Sequence, residues 1–427
     1  VGESVLTSGF ARVDGTLLCE GVPLEAIAEE VGTPAYVYSA AMVRDRYSRL
    51  DGALSALPHR VHYTLKANSN AGILRVLREL GAGVDVVSGG ELYRAQRAGF
   101  RGEDIIFGGV GKTEEELRAA LEAGVLLVNA ESEAEVRLLD RIAGELGVVA
   151  PVGLRVNPEV SVDSSHRYIK TGEKGAKFGI PFDEVLPVAR LAAGLPNTRL
   201  VGLDMHIGSQ LFRLDPYLDG VERLVALLDQ LRADGVDTVR YLDIGGGLGV
   251  AYDDEQSPDL RAFAQSLVHR VAPTGLTLLM EPGRFIVGNA GVLLTRVLYR
   301  KHSGGRDFLV TDAGMTELIR PSHYDAYHRI EAVNPRGGRM TADVVGPVCE
   351  SGDFLALDRQ MDTAEAGDLL VVYDVGAYGY VMASNYNTRP RGAEVLVDAD
   401  RYAVVTQRER HEDLVRLELD EPQWRQG

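Results

Sequence analysis

Between residues 60 and 285 the chain alternates short β-branched runs with stretches of helical period, and no other feature narrows its possible folds so far. Neighbouring parallel strands must be joined by a crossover of a dozen or more residues, usually a helix, so a regular strand–helix alternation implies a parallel sheet. Eight strand-like runs are readable: Val61 to Leu65, Val84 to Val87, Ile105 to Phe107, Leu126 to Asn129, Val152 to Val156, Leu200 to Ile207, Arg240 to Ile244 and Leu276 to Glu281. Helix-like pieces lie between them, among them Glu91 to Ala98, Thr113 to Ala123, Glu131 to Leu146, Glu184 to Ala193 and Tyr217 to Asp234. Eight repeats over roughly 225 residues suit a (β/α)8 TIM-type barrel, whose usual size is about 250 residues.

Beyond Arg284 the pattern changes to β-rich runs with Gly and Pro punctuation, including Val292 to Tyr299, Asp307 to Thr311, Asp368 to Val375 and Ala393 to Val397. That texture predicts a mostly antiparallel β domain. The N-terminal segment joins it, with Gly9 to Leu18 reading as a hairpin around Asp14-Gly15. The predicted organisation is α/β: a barrel over 36–285, and a β domain built from 1–35 and 286–427. The 427 residues are enough for two cores. Two loops stand out as insertions, the acidic Asp253 to Asp259 and the polar Ser161 to Gly179, and the polar one is the candidate lid.

A formal net charge of −17 disfavours nucleic acid as a partner, because a binding surface would have to overcome that field with Lys and Arg. No uninterrupted apolar run approaches the roughly 20 residues of a membrane helix. The opening Val1-Gly2-Glu3-Ser4 has no basic segment followed by an apolar stretch, so no secretory signal is expected there. The two cysteines, Cys19 and Cys349, cannot make a disulfide framework or a four-ligand zinc site. No metal is expected, and a reducing cytoplasm is the expected compartment.

In such a barrel the catalytic groups stand at the C-terminal ends of the strands. The first run leads into Lys66. Desolvation penalises a buried ammonium and lowers its pKa, which a Schiff-base lysine needs, whereas a lysine reaching solvent at the rim has no such role. The sixth run leads through Asp204-Met205-His206-Ile207-Gly208-Ser209-Gln210, where His206 fits a base, a group stacked on a flat cofactor, or a satisfied core histidine. The seventh runs into Gly245-Gly246-Gly247-Leu248-Gly249, either a tight packing loop or a turn whose bare N–H groups surround a phosphate. Val250 stands where the third glycine of a dinucleotide fingerprint belongs, which demotes that alternative. The eighth ends in Glu281-Pro282-Gly283-Arg284: an acid able to pair with a heterocycle nitrogen and an arginine able to grip a carboxylate, or simply an ion pair tying down a loop. Together these groups place a lysine, a histidine, a phosphate-cradling turn and a glutamate on one barrel mouth, which is what a phosphorylated pyridine aldehyde requires. In the β domain, Cys349 beside Glu350 suits a proton donor or an inert buried thiol.

These motifs make the chain resemble the diaminopimelate decarboxylases, a family of fold-type-III pyridoxal-phosphate enzymes, over nearly its whole length. The carriers are Tyr63 to Asn68, His166 to Gly172 with Lys177-Phe178-Gly179, His206 to Gln210, Gly245 to Gly247, Glu281 to Arg284, Cys349 to Asp353, Ala377-Tyr378-Gly379 and Met382 to Asn387. The barrel motifs are shared with ornithine and arginine decarboxylases, while the stretches at Cys349 and Met382 narrow the likeness to the diaminopimelate branch.

The resemblance implies that Lys66 carries pyridoxal 5'-phosphate as a Schiff base and that His206 stacks on the pyridine face. It implies that Ser209, Gly246, Gly283, Arg284 and Tyr378 hold the phosphate, with Glu281 on the pyridine nitrogen. Arg284, Arg320, Tyr324, Glu350 and Tyr378 match its substrate-binding positions and Cys349 its proton donor, with Cys349 and Glu350 reaching the partner's site in a homodimer. The implied reaction is decarboxylation of meso-2,6-diaminopimelate to L-lysine, the last step of lysine biosynthesis. Charge matching agrees: ornithine or lysine has only the carboxylate that leaves, whereas Arg284 and Arg320 suit a second one that stays, with Glu350 on the distal ammonium. The alternatives are a decarboxylase of ornithine, arginine or another basic amino acid, and a catalytically silent regulator of decarboxylases. Thr64 replaces the family's usual alanine and Ala176 its frequent serine, and neither is expected to touch a reacting group.

Overall fold

The structure is a computed structural model that describes residues 9–160, 175, 177–253, 255 and 257–425. It divides into two compact units, one of 40–290 with 376–378 and the other of 1–39, 291–375 and 379–427. The motif His166 to Gly172, Ala176 and most of the polar loop Ser161 to Gly179 lie outside the described residues.

The first unit is a closed parallel barrel of eight strands: β1 (His59–Thr64), β2 (Gly83–Val86), β3 (Ile105–Phe107), β4 (Leu127–Ala130), β5 (Ala150–Asn157), β6 (Thr198–Asp204), β7 (Tyr241–Asp243) and β8 (Thr277–Met280). Each pairs with the next in chain order, and β8 closes on β1 through Leu278 to Met280 against His59 to Val61. All eight predicted runs are strands, so the alternation that defined them is that of a barrel.

Helix starts are fixed by short polar side chains. Asn70 accepts from the Gly72 N–H, Ser88 from Glu91, Ser132 from Glu135 and Asp259 from Arg261, each satisfying a donor that the first helical turn leaves unpaired. Thr113 and Glu116 complete a reciprocal capping box. Gly124 and Gly147 end their helices in the left-handed region, where a side chain would be strained. The helix Ala40–Ala53 precedes β1 yet packs beside the helices Ala71–Glu79 and Leu260–Val271, completing the ring.

The second unit is built on the long strand Gly291–Ser303, which pairs antiparallel with Ala35–Ser39, Arg306–Thr311 and Leu369–Val372. The sequence reading assigns residues 36–39 to the barrel, but Ala35–Ser39 is buried at every position and lies between Gly291–Ser303 and Ala393–Asp398. Most pairings are antiparallel, as predicted. Ala35–Ser39 with Ala393–Asp398 and Arg306–Thr311 with Arg339–Val345 are parallel. The hairpin is present, with Asp14 and Gly15 both at positive φ between Phe10–Val13 and Thr16–Cys19. Its Leu17 and Cys19 bury with Leu24, Ile27, Val37, Val292, Val371 and Val395 in the core of this unit.

Candidate active site

The barrel's C-terminal end carries an unusually polar buried layer: Thr64, Asp85, Asn129, Asp204, Asp243 and Glu281 are all nearly inaccessible. Above it lies a pocket lined by Lys66, His206, Ser209, Gly246, Glu281, Gly283, Arg284 and Tyr378, with Thr64 and Phe285 in the wall. Eight sequence-predicted positions therefore meet in one place. Two larger hollows, one around Glu159 and Arg223 and one around Asn385 and Glu418, contain none of them.

Lys66 follows β1, and its side chain is 35 % exposed. Its Nζ donates to Thr64 Oγ1 (2.7 Å) and to Asp85 Oδ2 (3.0 Å). Burial does work against the ammonium, but the Asp85 carboxylate hydrogen-bonded to it outweighs burial and lifts Lys66 above the ordinary lysine range, the reverse of the expected lowering. Thr64, expected to touch nothing reactive, is a hydrogen-bond partner of this amine, because the chain turns back over the strand end right after it.

His206 accepts a hydrogen bond at Nδ1 from the Gly246 N–H (3.2 Å). Burial and the nearby charges of Arg155 and Lys66 keep its pKa well below that of a free imidazole, so the ring is neutral. The glycine turn has no room for side chains: a Cβ at Gly246 would lie 2.2 Å from the Glu281 carbonyl oxygen, and one at Gly247 would lie 2.4 Å from that of Gly208. Gln210 clamps the turn from the side, its amide donating to Val250 O and accepting from Val250 N. Gly246→Ala must displace this backbone, which costs about 1–3 kcal/mol by the usual scale of overpacking. A loss of about tenfold to a hundredfold in phosphate-cofactor affinity is expected, measured by fluorescence titration; unchanged affinity would exclude the turn from binding.

Arg284 aims its guanidinium at Ser209 Oγ (3.2 Å from Nη2), donates to Tyr252 OH (2.8 Å) and stacks 4.8 Å from the Tyr378 ring centroid. Tyr378 sits at φ +57°, a conformation that costs a non-glycine residue about 1–3 kcal/mol. Its N–H donates to Ala67 O, and Asn68 Nδ2 donates to Gly376 O, which ties this short segment into the barrel unit.

Glu91 belongs to the same electrostatic neighbourhood. Burial, against a hydrogen bond from the Val87 N–H, pushes its carboxyl from 4.5 up to about 7. A carboxyl that holds its proton more tightly when folded favours folding fully below about pH 4.5 and loses that contribution as pH rises to about 7. Glu91→Gln carries no such term. Urea unfolding of the cofactor-free protein should show the variant gaining about 1–2 kcal/mol on wild type between pH 5 and pH 8. A difference independent of pH would contradict this reading.

The remaining predicted positions belong to the other unit. Arg320 is buried at the start of the helix Arg320–Tyr324, and its Nε lies 3.3 Å from His328 Nε2. Tyr324 packs edge-on against His323. Cys349 is exposed rather than the buried thiol of the plainer alternative, and its N–H donates to Asn387 Oδ1, so the motifs at Cys349 and Met382 are joined. Glu350 Oε1 accepts from Gly352 N, and the buried Asp353 accepts from Met315 N and Val348 N. A Cβ at Gly314 or Gly346 would lie 2.2 or 2.4 Å from Asp353 Oδ1, which explains the glycines around this turn.

Asp85, Asp204, Asp243 and Tyr252 were not singled out by the sequence reading. For the three acids a signal existed: each interrupts an apolar strand, and a charge in a strand covered on both faces must point at something polar.

The pocket fits a pyridoxal phosphate: an amine for its aldehyde, a bare glycine turn with a serine and an arginine for its phosphate, and a buried carboxyl oxygen, Glu281 Oε1, with no hydrogen-bond partner among the described residues, for its ring nitrogen. Residues 40–288 match the family described as pyridoxal-dependent decarboxylase, pyridoxal binding domain. The chain is 51% identical to the diaminopimelate decarboxylase of Pseudomonas aeruginosa, covering 95% of this chain and 97% of that one. It resembles the crystal structure of diaminopimelate decarboxylase from Helicobacter pylori complexed with L-lysine (38% identity, TM-score 0.89, 92% and 98% coverage). It also resembles that from M. jannaschii in co-complex with L-lysine (33% identity, TM-score 0.92, 98% and 99% coverage).

Proposed function

The chain belongs to the diaminopimelate decarboxylase family of pyridoxal-dependent decarboxylases, and from that membership we propose that it removes one carboxylate of meso-diaminopimelate to give L-lysine and CO2, the last step of lysine biosynthesis. The observation that carries this reading is the convergence of Lys66, the glycine turn, Arg284 and Glu281 on one pocket.

Bound pyridoxal phosphate supplies an electron-accepting pyridine ring in conjugation with the carbon that loses CO2. Lys66 holds the aldehyde carbon. Because Asp85 keeps the amine charged, Lys66 must give up a proton before it can act as a nucleophile, and Asp85 and Thr64 stand within hydrogen-bond reach of it. Ser209, Gly246, Gly283, Arg284 and Tyr378 hold the phosphate. A neutral His206 would cover the ring face without repelling a protonated ring, and Glu281 would take the ring nitrogen. Arg320 takes the substrate's distal carboxylate, Glu350 its distal ammonium, and Arg284, Tyr324 and Tyr378 complete its contacts. Cys349 returns a proton to the α-carbon.

Cys349 and Glu350 serve the partner's pocket in a homodimer, a reading supported by their exposure on one turn. Cytoplasmic residence is supported by two cysteines that are both free. Among the described residues no helix is long and apolar enough to cross a membrane.

The test is a parallel assay of meso-diaminopimelate, ornithine, arginine and lysine with cofactor present. Lysine and CO2 from diaminopimelate alone are expected. Turnover of ornithine or arginine in its place would move the substrate to that group, and turnover of none would favour a silent regulator.

A further inference from the structure

Below the pocket, Asp204 at the end of β6, Asp243 at the end of β7 and Glu281 just past β8 bring carboxylate oxygens within 4.8 Å of one another. The three residues are 3%, 1% and 7% exposed. Asp204 Oδ1, Asp243 Oδ2 and Glu281 Oε1 are buried and have no hydrogen-bond partner among the described residues, and Glu281 also lines the pocket. Three carboxylates at this spacing cannot all ionise away from water, and an orphaned anionic oxygen is costly. A retained proton relieves both problems, because an O–H on one group can donate to an orphaned oxygen of the next.

The surroundings keep the cluster electron-rich. Asp85 on β2 and Glu131 past β4 add acids, and the nearby cations are committed, Arg155 on β5 to Glu131 (2.7 Å) and Lys66 to Asp85 (3.0 Å). His206 adds no charge, and the buried Tyr217, the other titratable group beside the three acids, commits its hydroxyl to the Gly246 carbonyl. Asp243 is fixed in place by the Gly245 N–H on its Oδ1 (2.9 Å), at the start of the glycine turn. Burial first, and then the neighbouring acids, raise the proton affinity of Glu281 and Asp204; burial pushes Asp243 up to about 6 against the Gly245 N–H and the Glu281 and Asn129 side chains beside it, which hold it down.

We propose that Asp243 and Asp204 are positioning residues whose negative charge behind Glu281 keeps one proton bound between the Glu281 carboxylate and the cofactor's ring nitrogen up to alkaline pH. The inference rests on reading the pocket as the cofactor site. A ring nitrogen bound against Glu281 would share that proton, which Glu281 would supply from its O–H as the N–H forms. Asp243 and Asp204 stay in place and raise the proton affinity of the pair. The consequence for function is an electron-poor ring over the whole working pH range.

The experiment loads wild type, Asp243→Asn, Asp204→Asn and Glu281→Gln proteins with cofactor labelled with 15N in its ring, and follows the nitrogen chemical shift from pH 6 to 10. Absorbance verifies that each protein is loaded. Both asparagine variants keep the shape of the side chain they replace, and either one alone suffices for the comparison. The expected result is a protonated nitrogen across most of the range in wild type, a deprotonation midpoint about one to two units lower in Asp243→Asn, a shift in the same direction in Asp204→Asn, and loss of protonation in Glu281→Gln. Loaded Asp243→Asn and Asp204→Asn proteins with the wild-type midpoint would overturn the proposal and leave the two acids a packing role. A stoichiometric divalent cation in purified wild type that is lost in Asp243→Asn would overturn it in favour of a cation site. A wild type that takes up no cofactor would overturn the pocket reading itself, and the inference with it.

Discussion

Lys66→Ala is expected to lower decarboxylation of diaminopimelate on the order of 10^4-fold, the scale seen when a covalent group is removed from a catalytic set that acts as a unit. The same protein should lose the visible absorbance of lysine-bound cofactor while keeping much of its affinity for the phosphate, because Ser209, Arg284 and the glycine turn remain. Asp85 then becomes a carboxylate without its cation; because Lys66 is 35 % exposed and solvent screens the pair, the cost is about 1–3 kcal/mol, below that of a fully buried pair. Thermal unfolding of the cofactor-free variant should therefore fall as well, which gives a readout independent of catalysis. A Lys66→Ala protein that still develops lysine-bound absorbance on adding cofactor would show that the amine in question lies elsewhere.

Arg320→Ala is expected to reduce kcat/KM for diaminopimelate by about 30- to 3000-fold, the equivalent of the roughly 2–5 kcal/mol lost when a buried, hydrogen-bonded charge pair is broken. Its side chain is unusually well placed for such a task. His328 Nδ1 lies 2.9 Å from the Tyr373 carbonyl oxygen, which makes it the donor and leaves Nε2 as the acceptor that orients Arg320. Residual turnover of amino acids that lack a second carboxylate should not fall with it. Full activity of Arg320→Ala on diaminopimelate would remove the distal-carboxylate argument.

What the sequence made legible follows from which signals are local. Barrel strands announce themselves because each is a buried β-branched run with a helix behind it, and the hairpin at Asp14-Gly15 because only such a pair tolerates two positive φ values in succession. The pocket residues could be placed on one mouth because the barrel puts every strand's C-terminal end on the same side. The state of Lys66 could not be read, since Asp85 is 19 positions away and meets it only through the β1–β2 pairing. Thr64 looked inert for the opposite reason, its contact depending on how the chain folds back immediately after the strand. Asp204 and Asp243 were visible as acids inside apolar runs, but their closeness to Glu281 depends on the register of β6, β7 and β8. Residues 36–39 fell on the barrel side of the predicted boundary because only the partners of strand Ala35–Ser39, Gly291–Ser303 and Ala393–Asp398, assign it to the other sheet.

The chain has six lysines, and Lys66 is followed by Arg75 as the next tryptic site and preceded by Arg60. Borohydride reduction of the cofactor-loaded protein followed by trypsin and mass spectrometry therefore tests the central assignment directly. A cofactor-modified lysine resists cleavage, so the predicted result is the phosphopyridoxyl mass on an uncut peptide from Val61 to Arg75, with loss of the separate Val61 to Lys66 and Ala67 to Arg75 peptides. The label on a peptide carrying any of the other five lysines, with Val61 to Lys66 recovered unmodified, would contradict the account.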